Sequence, residues 1–151
     1  MIDGVTTKKL RVFPDERGWL MEILRRDDPI FEEFGQVYVT AAYQGVVKAW
    51  HMHELQTDHF CVLSGMAKIV LYDGREDSPT RGEVNEFFLG THDRSVLKIP
   101  KLVMHGFKCI SQSEALILNV PTEMYNPSKP DEIRRPADDP SIPYDWSRKD
   151  G

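Results

Sequence analysis

The sequence has few cysteines and no long apolar run, and each absence excludes a class of protein. Its two cysteines, Cys61 and Cys109, fall within apolar runs, which indicates buried free thiols and not a disulfide framework. No apolar run approaches the ~18 residues of a membrane span, and the N-terminus does not resemble a signal peptide. We therefore expect a cytoplasmic protein that does not act in a membrane.

Positive charge is also in the minority. The chain has 19 Lys and Arg residues against 24 Asp and Glu residues, which gives a formal net charge of -5. Because no block of basic residues is present, nucleic acid and anionic membranes are excluded as main partners. An anionic ligand would have to be bound by a local group of arginines and lysines.

Short apolar runs separated by turn residues recur along the chain and predict an all-β protein. The runs cover residues 10–13, 19–24, 37–42, 46–50, 60–63, 67–72, 84–89, 96–99, 107–110 and 115–120. A short helix is predicted at residues 28–34. From Pro121 onward, proline and charged residues predict an irregular tail. We expect one domain over residues 1–151, with its core at about residues 10–120 and a C-terminal wrap over residues 121–151.

Three of the five histidines gather in one segment, GVVKAWHMHELQTDHFCVLSG, at residues 45–65. His51 and His53 are two residues apart, so on a strand both rings leave the same face and can contact one ligand. Asp58 and His59 are adjacent and face opposite ways, so only one of them can join that pair. The flanking residues are apolar, and imidazoles in a partly enclosed space need polar partners. We predict that the chemistry of the protein is concentrated here.

The spacing of this segment resembles the first motif of the cupins. The motif positions are occupied by Gly45, His51, His53, Asp58 and Gly65, with Asp where the motif has Glu. The second cupin motif, Pro-x-Gly-x-x-His, is approximated by residues 100–105, with Leu102 in place of Gly. The resemblance implies an all-β cupin fold, a double-stranded β-helix or jelly-roll barrel whose interior receives the polar residues of both motifs.

Further segments extend the resemblance to one cupin family. FPDERGWLMEI, GVVKAWH, DSPTRGEV, IPKLVMHGF and EMYNP occur in the same order as in dTDP-4-dehydrorhamnose 3,5-epimerases, over about residues 10–146. The resemblance implies a homodimeric enzyme that needs no metal and no other cofactor. Its substrate would be a nucleotide-diphosphate sugar with a 4-keto-6-deoxy group.

The resemblance also implies a set of catalytic residues. His51 matches the catalytic base, Lys48 an active-site arginine and Tyr125 a tyrosine that lines the site, with His53 beside the base. A 4-keto group acidifies the hydrogens on C3 and C5, and an imidazole is suited to removing them near neutral pH. A cation such as Lys48 would stabilise the resulting enolate. The residues assigned to substrate binding are Arg17 for the diphosphate, Glu22 and Gln36 for the nucleotide, and Tyr38, His105 and Asn119.

The sequence departs from the epimerase pattern at the proton donor. Inverting a carbon needs a base on one face and an acid on the other, and the tyrosine acid of the family is replaced by Asn119, which has no acidic proton. Tyr125 is the alternative acid. The family's lysine that meets the ketone aligns with Asp58, and an aspartate of its site aligns with Ile69.

These departures favour a related group of small cupins, the dTDP-4-keto-6-deoxyglucose 3,4-ketoisomerases. That group carries a His-x-His pair at this point, and QVYV, with Tyr38, resembles its tyrosine-bearing strand. Moving a carbonyl from C4 to C3 passes through an enediol, so proton transfer along one face needs no acid on the other. His51 as base and His53 as a donor to an oxygen would suffice.

Two further alternatives remain open. The first is a metal-dependent cupin, a sugar isomerase or dioxygenase, in which His51, His53, Asp58 and His105 bind one divalent transition metal. The second is a sugar-nucleotide binding protein without catalytic activity, which would account for the missing acid at Asn119.

Overall fold

A computed structural model describes residues 1–150, in which twelve strands form two five-stranded sheets and a separate hairpin. In chain order the strands are β1 Thr6–Lys9, β2 Val12–Asp15, β3 Gly18–Met21, β4 Tyr38–Ala42, β5 Val47–Met52, β6 Asp58–Ser64, β7 Met66–Tyr72, β8 Val84–Gly90, β9 Ser95–Ile99, β10 Met104–Cys109, β11 Ala115–Asn119 and β12 Ile133–Arg134. Sheet 1 has the order β1-β9-β6-β11-β4, sheet 2 has the order β12-β5-β10-β7-β8, and β2 pairs with β3 as the hairpin. This architecture confirms the predicted all-β double-sheet fold.

Each predicted run overlaps an observed strand, but the sequence missed β1 and β12. The β1 sequence, TTKK, has no apolar alternation, and the strand forms because it pairs with β9. The expectation of a wholly irregular tail is wrong at β12, where Ile133 pairs with Met52 and Arg134 with His51 on β5. Both strands are defined by a distant partner and not by local propensity.

The predicted helix at residues 28–34 is also wrong, because its backbone is engaged elsewhere. The Asp28 carboxylate accepts the backbone N–H of Arg25 at 2.7 Å and closes a turn. The Ile30 carbonyl, which a helix would use internally, accepts a hydrogen bond from Nε2 of His59 at 2.8 Å. Across residues 1–150 the structure has no helix, and so none that is long and apolar enough to cross a membrane.

The main hydrophobic core lies between the two sheets. It is built from alternate residues of the strands, and β6 shows this clearly: Phe60 and Val62 join the inner core, whereas Cys61 joins a separate cluster with Leu10 and Ile30. The alternation directs Asp58 inward and the His59 ring outward, to the carbonyls of Val120 and Ile30. As expected, only one member of this adjacent pair faces the interior.

The C-terminal tail covers the outer face of sheet 2. Trp50 is buried there, its ring 5.0 Å from Trp146 and 5.9 Å from Tyr144, and its Nε1 donates to the Ala137 carbonyl at 3.2 Å. The tail backbone also pairs with β5, since the Trp50 N–H donates to the Arg135 carbonyl at 2.8 Å. These contacts fix the strand that carries His51. The two cysteines are buried and free, as predicted.

Candidate functional site

Three histidines meet at the inner wall of the barrel, on the side of sheet 2. His51 lies in β5, His53 directly follows the end of that strand, and His105 lies directly opposite His51 on the neighbouring β10. The ring centroids of His51 and His105 are 4.1 Å apart, and His53 lies 6.0 Å from His51 and 5.9 Å from His105. The predicted same-face placement of His51 and His53 therefore extends to a third imidazole.

Gly106 allows β10 to approach β5 this closely. A Cβ atom at this position would lie 2.4 Å from the Cβ of Ala49, well inside the distance that two carbon atoms tolerate. The strand register also shifts between His105 and Phe107. The glycine of the HGF segment thus lets His105 stand against His51.

Sheet 1 supplies the facing wall with Asp58 on β6, Asn119 on β11 and Tyr38 on β4. Nδ2 of Asn119 donates to Oδ1 of Asp58 at 2.8 Å and to the Tyr38 hydroxyl oxygen at 3.0 Å. Oδ1 of Asn119 accepts the backbone N–H of His59 at 3.0 Å, and Nε2 of Gln56 donates to Asp58 at 2.8 Å. Asn119 is therefore fixed at both ends of its amide.

Asp58 faces two of the three imidazoles. Its Oδ2 lies 3.2 Å from Nε2 of His105 and 3.6 Å from Nε2 of His53. The Nδ1 atoms of both rings donate to backbone carbonyls, that of His105 to Val103 at 2.9 Å and that of His53 to Asp131. The contact between His105 and Asp58 has the distance of an ion pair but lacks the alignment of a hydrogen bond. Both rings thus present Nε2 to a carboxylate.

The Asp58 carboxylate is ionised despite its burial. Burial alone would raise its pKa, but the contact with His105, the positive charges of His105 and His53, and the Asn119 hydrogen bond lower the pKa to about 2. A negative charge therefore lies behind the imidazoles, 3.2 Å from Nε2 of His105 and 3.6 Å from Nε2 of His53.

His51 has the opposite electrostatic situation. Burial lowers its pKa well below the ordinary value of 6.5, and nearby positive charge on His105 and His53 lowers it further, while Asp58 acts in the other direction. The ring is consequently neutral at pH 7. A neutral imidazole is the form that accepts a proton from a substrate.

Two cavities of about 540 Å³ each open beside His51. The lysine cavity is lined by Lys48, Phe107, Arg134 and Arg135, and the tyrosine cavity by Gln36, His53, Tyr125 and Asp131. His51, Tyr38 and Glu132 line both cavities. The candidate base is therefore accessible to a ligand from either cavity.

Most of the residues predicted for the site surround these cavities. His51, His53, Gln36, Tyr38 and Tyr125 line the tyrosine cavity. Lys48 lines the lysine cavity, and its Nζ donates to the Ala41 carbonyl at 2.7 Å and to Oγ1 of Thr40 at 3.1 Å.

Two residues predicted to contact the substrate lie in the wall behind the cavities. His105 is 1% exposed and Asn119 is 0% exposed, so each acts on the cavity through the side chains that it contacts.

Two other residues predicted to bind the substrate, Arg17 and Glu22, line neither cavity. Arg17, in the turn of the hairpin, pairs with Asp15 at 2.6 Å and is 84% exposed, and Glu22 pairs with Arg25 at 3.1 Å.

His53 is oriented by Asp131, a role that no sequence motif indicates. The Asp131 carbonyl accepts the His53 Nδ1–H, and its carboxylate accepts the backbone N–H groups of Glu54, Leu55 and Gln56 at 3.0 to 3.1 Å. Asp131 thus holds the turn that follows β5. An aspartate in a proline-rich tail carries no motif, and it lies 78 residues from His53, so nothing local indicated this role.

The predicted metal ligands are also close together. The ligating atoms of His51, His53 and His105 lie within 4.8 Å of one another, and Asp58 contacts two of these rings. Three imidazole nitrogens suit a transition metal such as zinc. They bind it only as unprotonated nitrogens, and Nε2 of His53 and of His105 each face the Asp58 carboxylate. The alternative of a metal therefore remains a prediction.

Known proteins share both the sequence and the fold. A family profile described as dTDP-4-dehydrorhamnose 3,5-epimerase matches residues 1–151. A probable low-salt glycan biosynthesis epimerase of Haloferax volcanii is 44% identical over 97% of this chain and 95% of its own length. A dTDP sugar isomerase structure from Desulfovibrio desulfuricans superposes with a TM-score of 0.93 at 36% identity, over 99% of this chain and 94% of that chain. A 3,5-epimerase from Legionella pneumophila in complex with dTDP-4-keto-L-rhamnose has a TM-score of 0.84 at 27% identity, over 96% and 79% of the chains.

Proposed function

Because the chain belongs to the dTDP-4-dehydrorhamnose 3,5-epimerase family, a family of isomerases, we propose that it inverts carbon centres next to the keto group of a nucleotide-linked 4-keto-6-deoxy sugar. The first substrate to test is dTDP-4-keto-6-deoxyglucose. The observation that carries the proposal is His51, a histidine held neutral by its surroundings and lining two cavities at once. A base of this kind removes a proton from carbon when the resulting charge is stabilised.

In the proposed reaction His51 takes a proton from C3 or C5, and the electrons of that C–H bond pass to the ketone oxygen as an enolate. A cation near that oxygen lowers the barrier. Lys48 supports this role because it lines a cavity that contains His51, and because its bonds to Ala41 and Thr40 hold the ammonium at the cavity wall. Arg134 and Arg135, in the same wall, add positive charge for a diphosphate.

We further propose that the protein acts as a homodimer. The outer strand of sheet 1, β4, has a free edge, and the exposed apolar side chains of Val37 and Val39 accompany it. Trp19 and Leu20 on the hairpin are exposed as well. A second copy covering these surfaces would remove them from water. Light scattering tests this, with a mass of about 35 kDa expected from twice the chain mass of 17.4 kDa.

Incubation with dTDP-4-keto-6-deoxyglucose in D2O tests the reaction. Epimerisation predicts deuterium at the inverted carbons, observed by proton NMR together with the changed ring couplings. A 3-keto product would instead support the ketoisomerase, a second candidate favoured by His53, which lines the tyrosine cavity beside His51. If neither deuterium exchange nor a product is observed, both reactions are contradicted. A metal-dependent reaction or simple binding of the sugar nucleotide would then remain.

A further inference from the structure

Inversion at carbon requires a proton donor on the face opposite the base, and Asn119 cannot supply one. The residue paired with Asn119 across the sheet can. Asn119 on β11 stands directly opposite Tyr38 on β4, and its Nδ2 lies 3.0 Å from the Tyr38 hydroxyl oxygen. Building on the proposed function, we infer that Tyr38 is the proton donor, and that Asn119 positions it. In this proposal the acidic hydroxyl is on β4, the strand next to β11, on which the family pattern places the tyrosine acid.

Tyr38 and His51 are placed for opposite-face chemistry. His51 extends from β5 of sheet 2 and Tyr38 from β4 of sheet 1, so they stand on facing walls of the barrel. Both side chains line both cavities. A sugar ring seated between the walls has the imidazole on one face and the phenol on the other.

The hydrogen bond from Asn119 has the direction that a proton donor needs. The amide donates to the Tyr38 oxygen, so the hydroxyl hydrogen is not used in that bond and remains available for the ligand. After transfer, the same N–H stabilises the phenolate oxygen. The bonds of Asn119 to Asp58 and to the His59 backbone fix its amide in this orientation.

The hydroxyl carries its proton at neutral pH. Burial raises the pKa of Tyr38 above its ordinary value of 10.0, and the charges of Asp58 and Glu132 raise it further, while the Asn119 bond lowers it.

The proton balance of the step is simple. His51 takes the proton from one face of the carbon, and the enolate carbon then forms a new C–H bond on the other face with the Tyr38 proton. The enzyme is left with an imidazolium at His51 and a phenolate at Tyr38. The imidazolium releases one proton to water, and the phenolate takes one from water, which restores both groups without any other reactant.

Tyr125 is the competing donor, and the structure places it less favourably. Its side chain is 62% exposed on the segment after β11, and it lines only the tyrosine cavity. Tyr38 is held by a buried amide and lines both cavities.

The test is Tyr38→Phe assayed in D2O by NMR, with two rates measured on one sample. We expect the inversion rate to fall about 10²-fold or more. Deuterium should still enter the recovered, uninverted substrate at a rate within a few-fold of wild type, because His51 can remove a proton and return a deuteron on its own face. The ratio of inversion to exchange does not depend on the amount of folded enzyme, so partial unfolding cannot imitate the result.

The matched control is Tyr43→Phe, the same change at an exposed tyrosine just after β4 and outside both cavities, which should keep the wild-type ratio. A wild-type ratio in Tyr38→Phe would overturn the inference. So would loss of inversion in Tyr125→Phe with retention in Tyr38→Phe, which would make Tyr125 the donor. If wild-type enzyme neither exchanges nor inverts, the proposed function itself fails, and this inference fails with it.

Discussion

The two walls of the barrel carry opposite chemistry at the point where they face each other. The wall formed by sheet 2 and the turn after β5 contributes three imidazoles, those of His51, His53 and His105, whereas sheet 1 contributes Asp58 and the pair of Asn119 and Tyr38. The Asp58 carboxylate lies beside His53 and His105, whereas burial and then the charge of His105 lower the pKa of His51 against the opposing effect of Asp58. His51 is therefore neutral first because it is buried, and the charged groups of both walls adjust its base strength, so that strength depends on both sheets.

The largest expected effect follows removal of the base. His51→Asn should lower turnover of the 4-keto sugar nucleotide by about 10²-fold or more, because a positioned general base contributes at least that much. The NMR assay for inversion and deuterium uptake measures this. His92→Asn, at an exposed histidine outside the barrel, is the matched control and should remain active. Near-normal turnover in His51→Asn would contradict both the epimerase and the ketoisomerase reactions.

The second effect is on stability and comes from the facing wall. Asp58→Asn keeps the side-chain shape but removes the charge opposite His105 and His53. Removing the charge from one member of a buried contact leaves its partners without the group that faces them, so we expect the free energy of unfolding at neutral pH to fall by about 3 kcal/mol in urea titrations.

Asp27→Asn is the control for this change, because its ion pair with Arg25 is exposed and screened by water, and it should unfold at nearly the wild-type urea concentration. Equal stability of the Asp58 variant and wild type would show that the imidazoles carry no charge that needs Asp58.

The sequence predicted the wall that carries the histidines better than the wall that carries Asp58, Asn119 and Tyr38, for a physical reason. Strand alternation places His51 and His53 on one face and separates Asp58 from His59, and this depends only on neighbours in the chain. The bond between Asn119 and Tyr38 joins residues 81 apart and depends on which strands pair. In the sequence, Asn119 stands where the family has its tyrosine acid, so that acid is missing. In the fold, Asn119 donates a hydrogen bond to another tyrosine, Tyr38.

Distant contacts also account for the errors in secondary structure. Residues 28–34 have a local pattern that suits a helix, but His59 takes the Ile30 carbonyl from outside the segment. The strand β12 forms because the tail pairs with the edge of β5. Asp131, in the same tail, accepts the hydrogen bond from His53. Composition identified the tail as a separate region but did not show that it completes the site.

A smaller effect should appear in the pH dependence of stability. Because the folded-state pKa of His51 lies below 6.5, the unfolded chain binds a proton in the range between the two pKa values that the folded chain does not. With respect to His51, the free energy of unfolding therefore has its full value above pH 6.5, and it decreases as the pH falls through and below that value. His51→Asn should unfold with a shallower pH dependence between about pH 5 and 7, by up to ~1.4 kcal/mol for each pH unit.

Urea titrations at several pH values measure this dependence, with His92→Asn again as the control because its exposed ring has no buried environment to lose. Parallel curves for wild type and His51→Asn would mean that burial and the neighbouring charges do not hold His51 neutral.

The smallest expected effect is that of metal removal, and it separates the two ways in which the histidines can be used. Nδ1 of His105 donates to the Val103 carbonyl and its Nε2 faces the Asp58 carboxylate at 3.2 Å, so this ring is already engaged on both sides. We therefore expect EDTA-treated protein to keep its activity and its melting temperature. Added Zn²⁺ should inhibit, because the neutral ring of His51 can bind it, and His53, whose Nε2 is 3.6 Å from Asp58, is held less closely by the carboxylate than His105. Inhibition should be weaker in His53→Asn, which keeps the base but removes one of the ligands gathered around it. Loss of activity on chelation, restored by one equivalent of a divalent metal, would instead assign the three imidazoles to a metal and make Asp58 the group that orients them.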